Sequence, residues 1–404
     1  MTSLTQIFSI DNPPQEFMKV LQGPFSNDSG INVSTDNALT LSAVGRAVRA
    51  IANPIALVSK HIYRKTDGKR EKQSGHPAQQ LISRKPNPYT KAYDWFNNAQ
   101  LSVLLWGNFY ARIVRDRDYN PIKLIRFPDG VIKPVLIDDE LFYVDRRTGK
   151  TYTPDEIFHI KDWSKDGIEG MSRVSQYRQG IGLGLVSEKF QASFYGNGAH
   201  QGGIVYVDEE AGIDFGETPE EEESEMNRIR KMVTDPYTGA DNFHRVMLLP
   251  PGMKFERLTM PLKDAEFLIS RKFQVIEVAR MFDTSLSKLF ELERATNSNN
   301  IEHQGIEFVQ EAILPWTTNW EQEINDKLLR EDQKDDHYCK FNLDSLVRAD
   351  MKTRYEAYSM SLGQGVGFQS TEEVRALEDR DPIDEDNLFK PMNYNRQSER
   401  ADNV

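Results

Sequence analysis

The side chains of this 404-residue chain that could do chemistry are numerous but scattered. Seven histidines stand at positions 61, 76, 159, 200, 244, 303 and 337. No two lie three to five residues apart, so no helix presents a metal-binding pair. Cys339 is the only cysteine, which excludes an intramolecular disulfide and a cysteine-rich zinc site and suits a reducing compartment. Gly170-Met171-Ser172-Arg173-Val174 approaches the elbow that exposes a nucleophilic serine, but Val174 replaces the closing glycine and turn-rich sequence precedes it. Ser172 reads instead as a helix N-cap. Gly180, Gly182 and Gly184 alternate inside a helical pattern, whereas a dinucleotide fingerprint needs its glycines at a strand-to-helix turn. No Gly-Lys-Ser/Thr run closes a phosphate loop. Acid pairs such as Asp162 and Asp166 have no spacing that argues for proton transfer. The expectation is a protein with no catalytic residue, no metal and no cofactor. A soluble enzyme with a dispersed site is the rival from another class.

The elements that would position these residues follow from periodicity and punctuation. Residues 1–34, rich in Pro, Asn, Ser and Asp, read as a loose arm. A helix begins after Thr35 or Asp36, with Leu41, Val44, Val48, Ile51, Ile55 and Val58 on one stripe and Pro54 kinking it. A second runs from Ala92 to Trp106 and ends at Gly107-Asn108. Strand-like stretches follow at 109–114, 122–127, 131–137 and 141–144. A glycine-containing helix spans 172–195, its glycines suggesting close backbone approach or a bend. A small module occupies 203–262, with strands at 204–207, 245–249 and 254–258 and a helix at 221–233. A Ser- and Asn-rich loop fills 283–300. Helices follow at 301–329, bent at Pro315, then at 344–362 and 371–377. The composition, with 28% charged and 38% hydrophobic residues, fits two or three cores, and no window is apolar enough for a membrane span. The chain reads as cytoplasmic when made.

Charge narrows the partners. With 62 acids against 50 bases, net −12, tight general DNA binding is disfavoured as a primary role. DNA that merely passes is compatible. Between Asp208 and Glu225 there are ten acids and no Lys or Arg, a solvated surface or an interaction face. On a helix over 264–282, about 28 Å long, Glu266, Ser270, Gln274 and Glu277 share one stripe. Such a stripe is a solvated face or a lining for something wet and anionic.

Dispersed residues then resemble those of one family, the portal proteins of long-tailed bacteriophages, over about residues 31–392. They are the kinked helix Val44 to Val58, His76-Pro77, Leu81-Ile82, Pro86-Asn87-Pro88 and Trp106-Gly107-Asn108-Phe109-Tyr110. Ile157-Phe158-His159-Ile160-Lys161, running through Asp166-Gly167 to Gly170-Met171-Ser172, is the strongest segment. Phe194-Tyr195-Gly196-Asn197-Gly198-Ala199, Glu277-Val278-Ala279-Arg280-Met281-Phe282, Asn300-Ile301-Glu302-His303-Gln304 with Leu314-Pro315, and Thr371-Glu372-Glu373-Val374-Arg375 complete the order. Asp283-Thr284-Ser285 stands where the family commonly has Val-Pro-Pro.

The resemblance implies an α+β portal fold. It has an N-terminal arm (1–34), a mixed α/β wing (35–170), a first stem helix (171–198), a small α/β clip (199–263) and a second stem helix (264–282). A tunnel loop (283–299), a long kinked helix (300–345), a short helical crown (346–392) and a disordered tail (393–404) follow. It also implies a twelve-subunit ring at one capsid vertex of the virion, assembled in the host cytoplasm with capsid and scaffold proteins. Double-stranded DNA would pass through, the terminase large subunit would dock on the clip, and a head–tail adaptor would replace it. No membrane is involved. Another head–tail connector is the alternative within virion proteins. On this reading Glu266, Ser270, Gln274 and Glu277 line the channel, Leu286, Leu289, Phe290 and Asn297 belong to the tunnel loop, and Glu220, Glu221, Glu222 and Glu223 form a partner-binding face of the clip.

Overall fold

The computed structural model describes residues 31–66, 68–196, 203–207, 253–257, 264–290, 298–346, 351–362, 369–378 and 380–381, with a few positions between 218 and 228. Two compact units divide the chain, residues 1–343 and 344–404.

The larger unit opens with α1 (Thr35–Ala38), capped by Ser34, and α2 (Ser42–Leu57). The single helix expected from Thr35 is therefore two, and Val33, assigned to the loose arm, is fully buried. The stripe residues Leu41, Val44, Val48, Ile51, Ile55 and Val58 are all buried, and α2 continues through Pro54 to its last turn. β1 (Ser59–Thr66) and β2 (Lys69–Lys72) form a hairpin, followed by α3 (Pro77–Ser83) and α4 (Ala92–Trp106). Gly107, at φ 81°, ends α4 in the left-handed region that glycine tolerates best. Then come β3 (Asn108–Arg115), β4 (Pro121–Arg126), β5 (Ile132–Ile137), β6 (Glu140–Asp145), β7 (Thr151–Tyr152) and β8 (Ile157–Lys161). Helices α5 (Arg173–Gln176) and α6 (Arg178–Gly196) divide at Tyr177, where one helix was expected.

Strands β9 (Gly203–Val207) and β10 (Met253–Arg257) pair antiparallel. The expected strand at 245–249 lies outside the described residues, as does most of the helix at 221–233. Helix α7 (Asp264–Met281) leads to a 3-10 turn, Leu286–Leu289, within the stretch expected to be loop. The helix expected over 301–329 is α8 (Ser298–Phe308), a π-helical turn Val309–Ile313 and α9 (Leu314–Leu328). Pro315 lacks an N–H and crowds the preceding turn, and the widened turn just ahead of it makes room. β11 (His337–Asn342) closes the unit. In the smaller unit, α10 (Met351–Ser361) falls within the expected 344–362, of which 347–350 lie outside the described residues, while α11 (Thr371–Leu377) matches, capped by Ser370.

The sheets are antiparallel, ordered β11-β1-β2, β4-β3-β8 and β5-β6-β7. β1 and β11 carry too few apolar residues to announce themselves. Their core-facing set is Lys60, Ile62, Cys339 and Phe341, all buried. Lys60 donates to the carbonyls of Ala56 (3.1 Å) and Val58 (2.9 Å) at the end of α2, and its ammonium lies 4.3 Å from the Phe96 ring centroid. Burial pushes its pKa down to about 7. The main core is aromatic. Trp95, Phe96, Phe109, Phe158 and Trp320 meet edge-to-face or tilted, and Trp320 Nε1 donates to Gln100 Oε1 at 2.8 Å. Helix α9 also covers the β11 edge, because Asn325 and Glu321 accept from the backbone N–H groups of Cys339 and Phe341.

Candidate functional site

Among the described residues, a polar network joins the start of β3 to the loop after β8. Asn108 Nδ2 donates to the Gly170 carbonyl (2.7 Å) while its Oδ1 accepts from the Gly170 N–H (2.8 Å). That fixes the amide orientation, so His159 Nε2, 3.0 Å from the same Oδ1, must carry the proton. Its Nδ1 then accepts from the Tyr143 hydroxyl at 3.2 Å. Burial, helped by Lys161 and Lys327, lowers the imidazole pKa to about 3 and keeps it neutral. Asp162 N donates to the Gly107 carbonyl at 2.8 Å, and a Cβ on Gly107 would stand 2.6 Å from Met171 O. Within the loop, Asp166 accepts from the N–H groups of Ile168 and Glu169 and from the Ser164 hydroxyl, which hold its pKa down at about 2.

This loop delivers Ser172 and Arg173 to the head of α5. Ser172 caps the helix through Ser175 N (3.1 Å) and donates to the Leu105 carbonyl (2.6 Å). Arg173 meets Asp162 through Nε (2.5 Å) and Nη2 (3.1 Å), and its Nη1 reaches Asp283 (2.8 Å) and the Met281 carbonyl (3.2 Å). Burial opposes the guanidinium charge, but the pairs with Asp162 and Asp283 override it and raise its pKa. One side chain thus ties β8, α5 and the end of α7. Asp283 itself sits at φ 50°, a left-handed position that Asp tolerates.

Above this joint α6 and α7 lie side by side. Gly180 and Gly184, four apart on one face, are points of contact among the described residues. A Cβ on Gly180 would come within 2.5 Å of Met281 Cε, and one on Gly184 within 3.1 Å of both Gln274 Cδ and Leu41 Cδ2. The glycines let the helix backbone come close. Away from this seam Leu183, Phe190 and Phe273 are 63%, 46% and 56% exposed.

A family profile described as phage portal protein matches residues 42–379. The chain belongs to that family. It is similar to the probable portal protein of Streptomyces phage phiC31, 30% identical over 374 residues that cover 88% of this chain and 78% of that protein. It is 25% identical over 364 residues to the portal protein of Enterobacteria phage HK97, covering 89% and 82% respectively. Among solved structures, an HK97-family phage portal protein from Corynebacterium diphtheriae matches at TM-score 0.56 and 15% identity, covering 77% of this chain and 95% of that one. A chain in the neck of a native GTA particle, computed with C12 symmetry, matches at TM-score 0.52 and 20% identity, covering 91% and 99%. At these identities the structural likeness speaks for the fold alone. The function is that of a phage portal, and the portal family is structural rather than enzymatic.

In this portal chain, the four residues expected to line a channel all fall on α7. The side chains of Glu266 and Ser270 lie outside the described residues. Gln274 turns to α6 and packs over Gly184, while Glu277 is half-buried and pairs with the exposed Arg280. Arg271, Lys272 and Phe273 are exposed as well, so the described part of α7 displays cations that the stripe left out. Leu286 and Leu289 are half-buried in the 3-10 turn, and Phe290 is 69% exposed with the Arg46 guanidinium 4.4 Å from its ring centroid. Arg46 also donates to the Lys288 carbonyl at 2.8 Å, so α2 holds this turn. Asn297, Glu220, Glu221 and Glu222 lie outside the described residues, and Glu223 is exposed. In the sequence Asn108 and Gly170 carry part of the family resemblance, Asp162 is one of an acid pair without catalytic spacing, and Arg173 belongs to the near-elbow at Ser172. The signal of their network was the clustering of Gly, Asn and Asp next to strand ends.

Proposed function

We propose that copies of this chain, twelve in number, close into a ring at one capsid vertex and that α6 and α7 form the wall of its bore. The carrying observation is the helix pair. It is fastened along the glycine seam and at Arg173, yet it leaves Leu183, Phe190 and Phe273 in solvent. Covering the half or so of each side chain that is still exposed contributes on the order of 1 kcal/mol each. A neighbouring copy is the natural cover.

Duplex DNA passes through this bore during packaging and ejection. It carries about one charge per 1.7 Å of axis, so a wall rich in unpaired cations would hold it through many phosphate contacts. Glu266, Ser270 and Glu277 supply acid and hydroxyl groups, and along α7 Arg271, Lys272 and Arg280 are balanced by Asp264, Glu266 and Glu277, so the helix is close to neutral. Residues 283–299, with Leu286, Leu289, Phe290 and Asn297, form the narrowest passage. The module 199–263 is the docking face, where Glu220, Glu221, Glu222 and Glu223 meet a basic surface on the terminase large subunit and later on a head–tail adaptor. Capsid and scaffold proteins surround the ring, which assembles in the host cytoplasm. Energy for DNA movement comes from the motor.

Native mass spectrometry with end-view electron microscopy tests the ring. The expected particle contains about twelve 46.5 kDa subunits around a central hole. A compact monomer under all assembly conditions would sink the proposal.

A further inference from the structure

The hairpin sheet β11-β1-β2 separates its charges by face. Cross-strand partners point to the same side, so register decides which residues share a surface. On the side continuous with the core, Arg64 stands opposite Glu71 in register and is ion-paired with Asp336 at 2.9 Å. On the outer side Lys65 stands directly opposite Arg70, and Tyr63 opposite Lys72. Like charges directly opposite are destabilising, so the fold retains Lys65 and Arg70 at some expense. Edge protection favours charge, Lys above all, and accounts for cations on the edge strand β2, but not for Lys65 on the central strand β1.

The same face continues onto β11, where Tyr338 stacks on Tyr63 with ring centroids 5.7 Å apart and Arg70 lies 5.7 Å from the Tyr63 ring. Lys340 follows but is paired with Glu321 at 2.9 Å. Lys65, Arg70 and Lys72 are exposed. Among the described residues of the three strands, no Asp or Glu points to this side, and Asp336, which precedes β11 and accepts from the Lys65 N–H through its carbonyl, has its carboxylate paired with Arg64 and His337. From Ser59 to His76 there are six Lys or Arg and two acids, in a chain whose net charge is −12.

We propose that this sheet face is a contact site for the phosphate backbone of duplex DNA, separate from the bore. Arg70 and Lys72 are about 6.6 Å apart along one strand, and Lys65 is about 4.8 Å away across the pair. A polymer charged at every step meets such a grid without needing a particular register, whereas an acidic peptide would have to match it residue by residue. The acid surplus elsewhere repels DNA at a distance. Screening within about 10 Å at 0.1 M salt leaves the three cations effective at contact. The ring and its bore do not depend on this site.

The test uses full-length protein and a labelled duplex of about 30 base pairs, followed by fluorescence anisotropy. Three phosphate contacts predict a slope near −2.7 in log affinity against log salt, or about a 40-fold loss between 50 and 200 mM. Replacing all three cations, Lys65→Gln, Arg70→Gln and Lys72→Gln, removes this binding, while Lys123→Gln with Lys133→Gln, also exposed, leaves it. All five positions lie on the surface, and circular dichroism and native mass verify that fold and assembly are unchanged. An unaltered slope in the triple variant, or no wild-type binding at 50 mM, overturns the proposal. Tighter binding of poly-glutamate than of the duplex also overturns it and makes the face a protein-docking surface.

Discussion

Asn108→Ala is the substitution whose effect can be worked most directly from the structure. It deprives the Gly170 N–H, the Gly170 carbonyl and His159 Nε2 of partners at 2.8, 2.7 and 3.0 Å. A buried polar group left unsatisfied costs about 1–3 kcal/mol, and these are only partly buried, so the low end applies to each. The two bonds to Gly170, which loop opening breaks, sum to about 2 kcal/mol, while the His159 bond joins β3 to β8 and is the same whether the loop is open or closed. Opening of the loop 162–172 should then be roughly 30-fold more populated, since about 1.4 kcal/mol is a factor of ten. Hydrogen exchange with mass spectrometry reads this directly on peptides covering Asp162 to Ser172, and assembly affects that local measurement less than it affects global unfolding. Asn108→Asp is the sharper companion. It keeps the acceptor but sets a carboxylate oxygen against the Gly170 carbonyl, so it should be no less damaging than alanine. Exchange within threefold of wild type in Asn108→Ala, or full protection in Asn108→Asp, would refute the reasoning.

Arg173→Ala leaves Asp162, whose side chain is 5% exposed, without its cation, and should lower stability by about 3–5 kcal/mol in thermal unfolding. Arg173→Lys should recover only part of that, because a single ammonium cannot reproduce the two-nitrogen contact with Asp162. Glu323 gives a pH prediction. Burial raises its carboxyl pKa to about 7, against the hydrogen bond from His159 N and the pull of Lys327. A raised folded-state value means that the stabilisation is complete below about 4.5 and is lost as pH rises through about 7. The loss is about 2 kcal/mol after allowing for partial exposure, and melting curves at pH 5 and 8 should show Glu323→Gln without this slope. Leu183→Glu combined with Phe273→Glu should shift native mass from ring to single chain while leaving the circular dichroism of the subunit unchanged.

Local signals were readable wherever one residue type has one physical consequence. Gly107 ends α4 because the backbone there turns left-handed, Ser172 caps α5, and Thr371–Leu377 forms behind the Ser370 capping box. Strands β1 and β11 were missed because a buried lysine occupies a core position, and its hydrogen bonds to the end of α2 are invisible in sequence. The role of Arg173 escaped for a similar reason, since Asp162 is 11 residues away and Asp283 is 110. Likewise a stripe on α7 defines a face but not its neighbour, and Gln274 packs on α6 because Gly184 leaves room for it.

The proposed ring and the proposed DNA face should answer to salt in opposite directions. Each copy carries −12, so closing a ring brings like charges together, and screening relieves that repulsion as the Debye length falls from about 10 Å at 0.1 M to about 3 Å at 1 M. Apolar contacts through Leu183, Phe190 and Phe273 do not weaken under the same change. Contacts from Lys65, Arg70 and Lys72 to phosphate do weaken, through counterion release. A uniformly basic subunit would hold DNA firmly, but in the bore that grip would stop the polymer. Concentrating a few cations on one sheet face, in a chain whose acids outnumber its bases, permits weak attachment at one place and free passage at another.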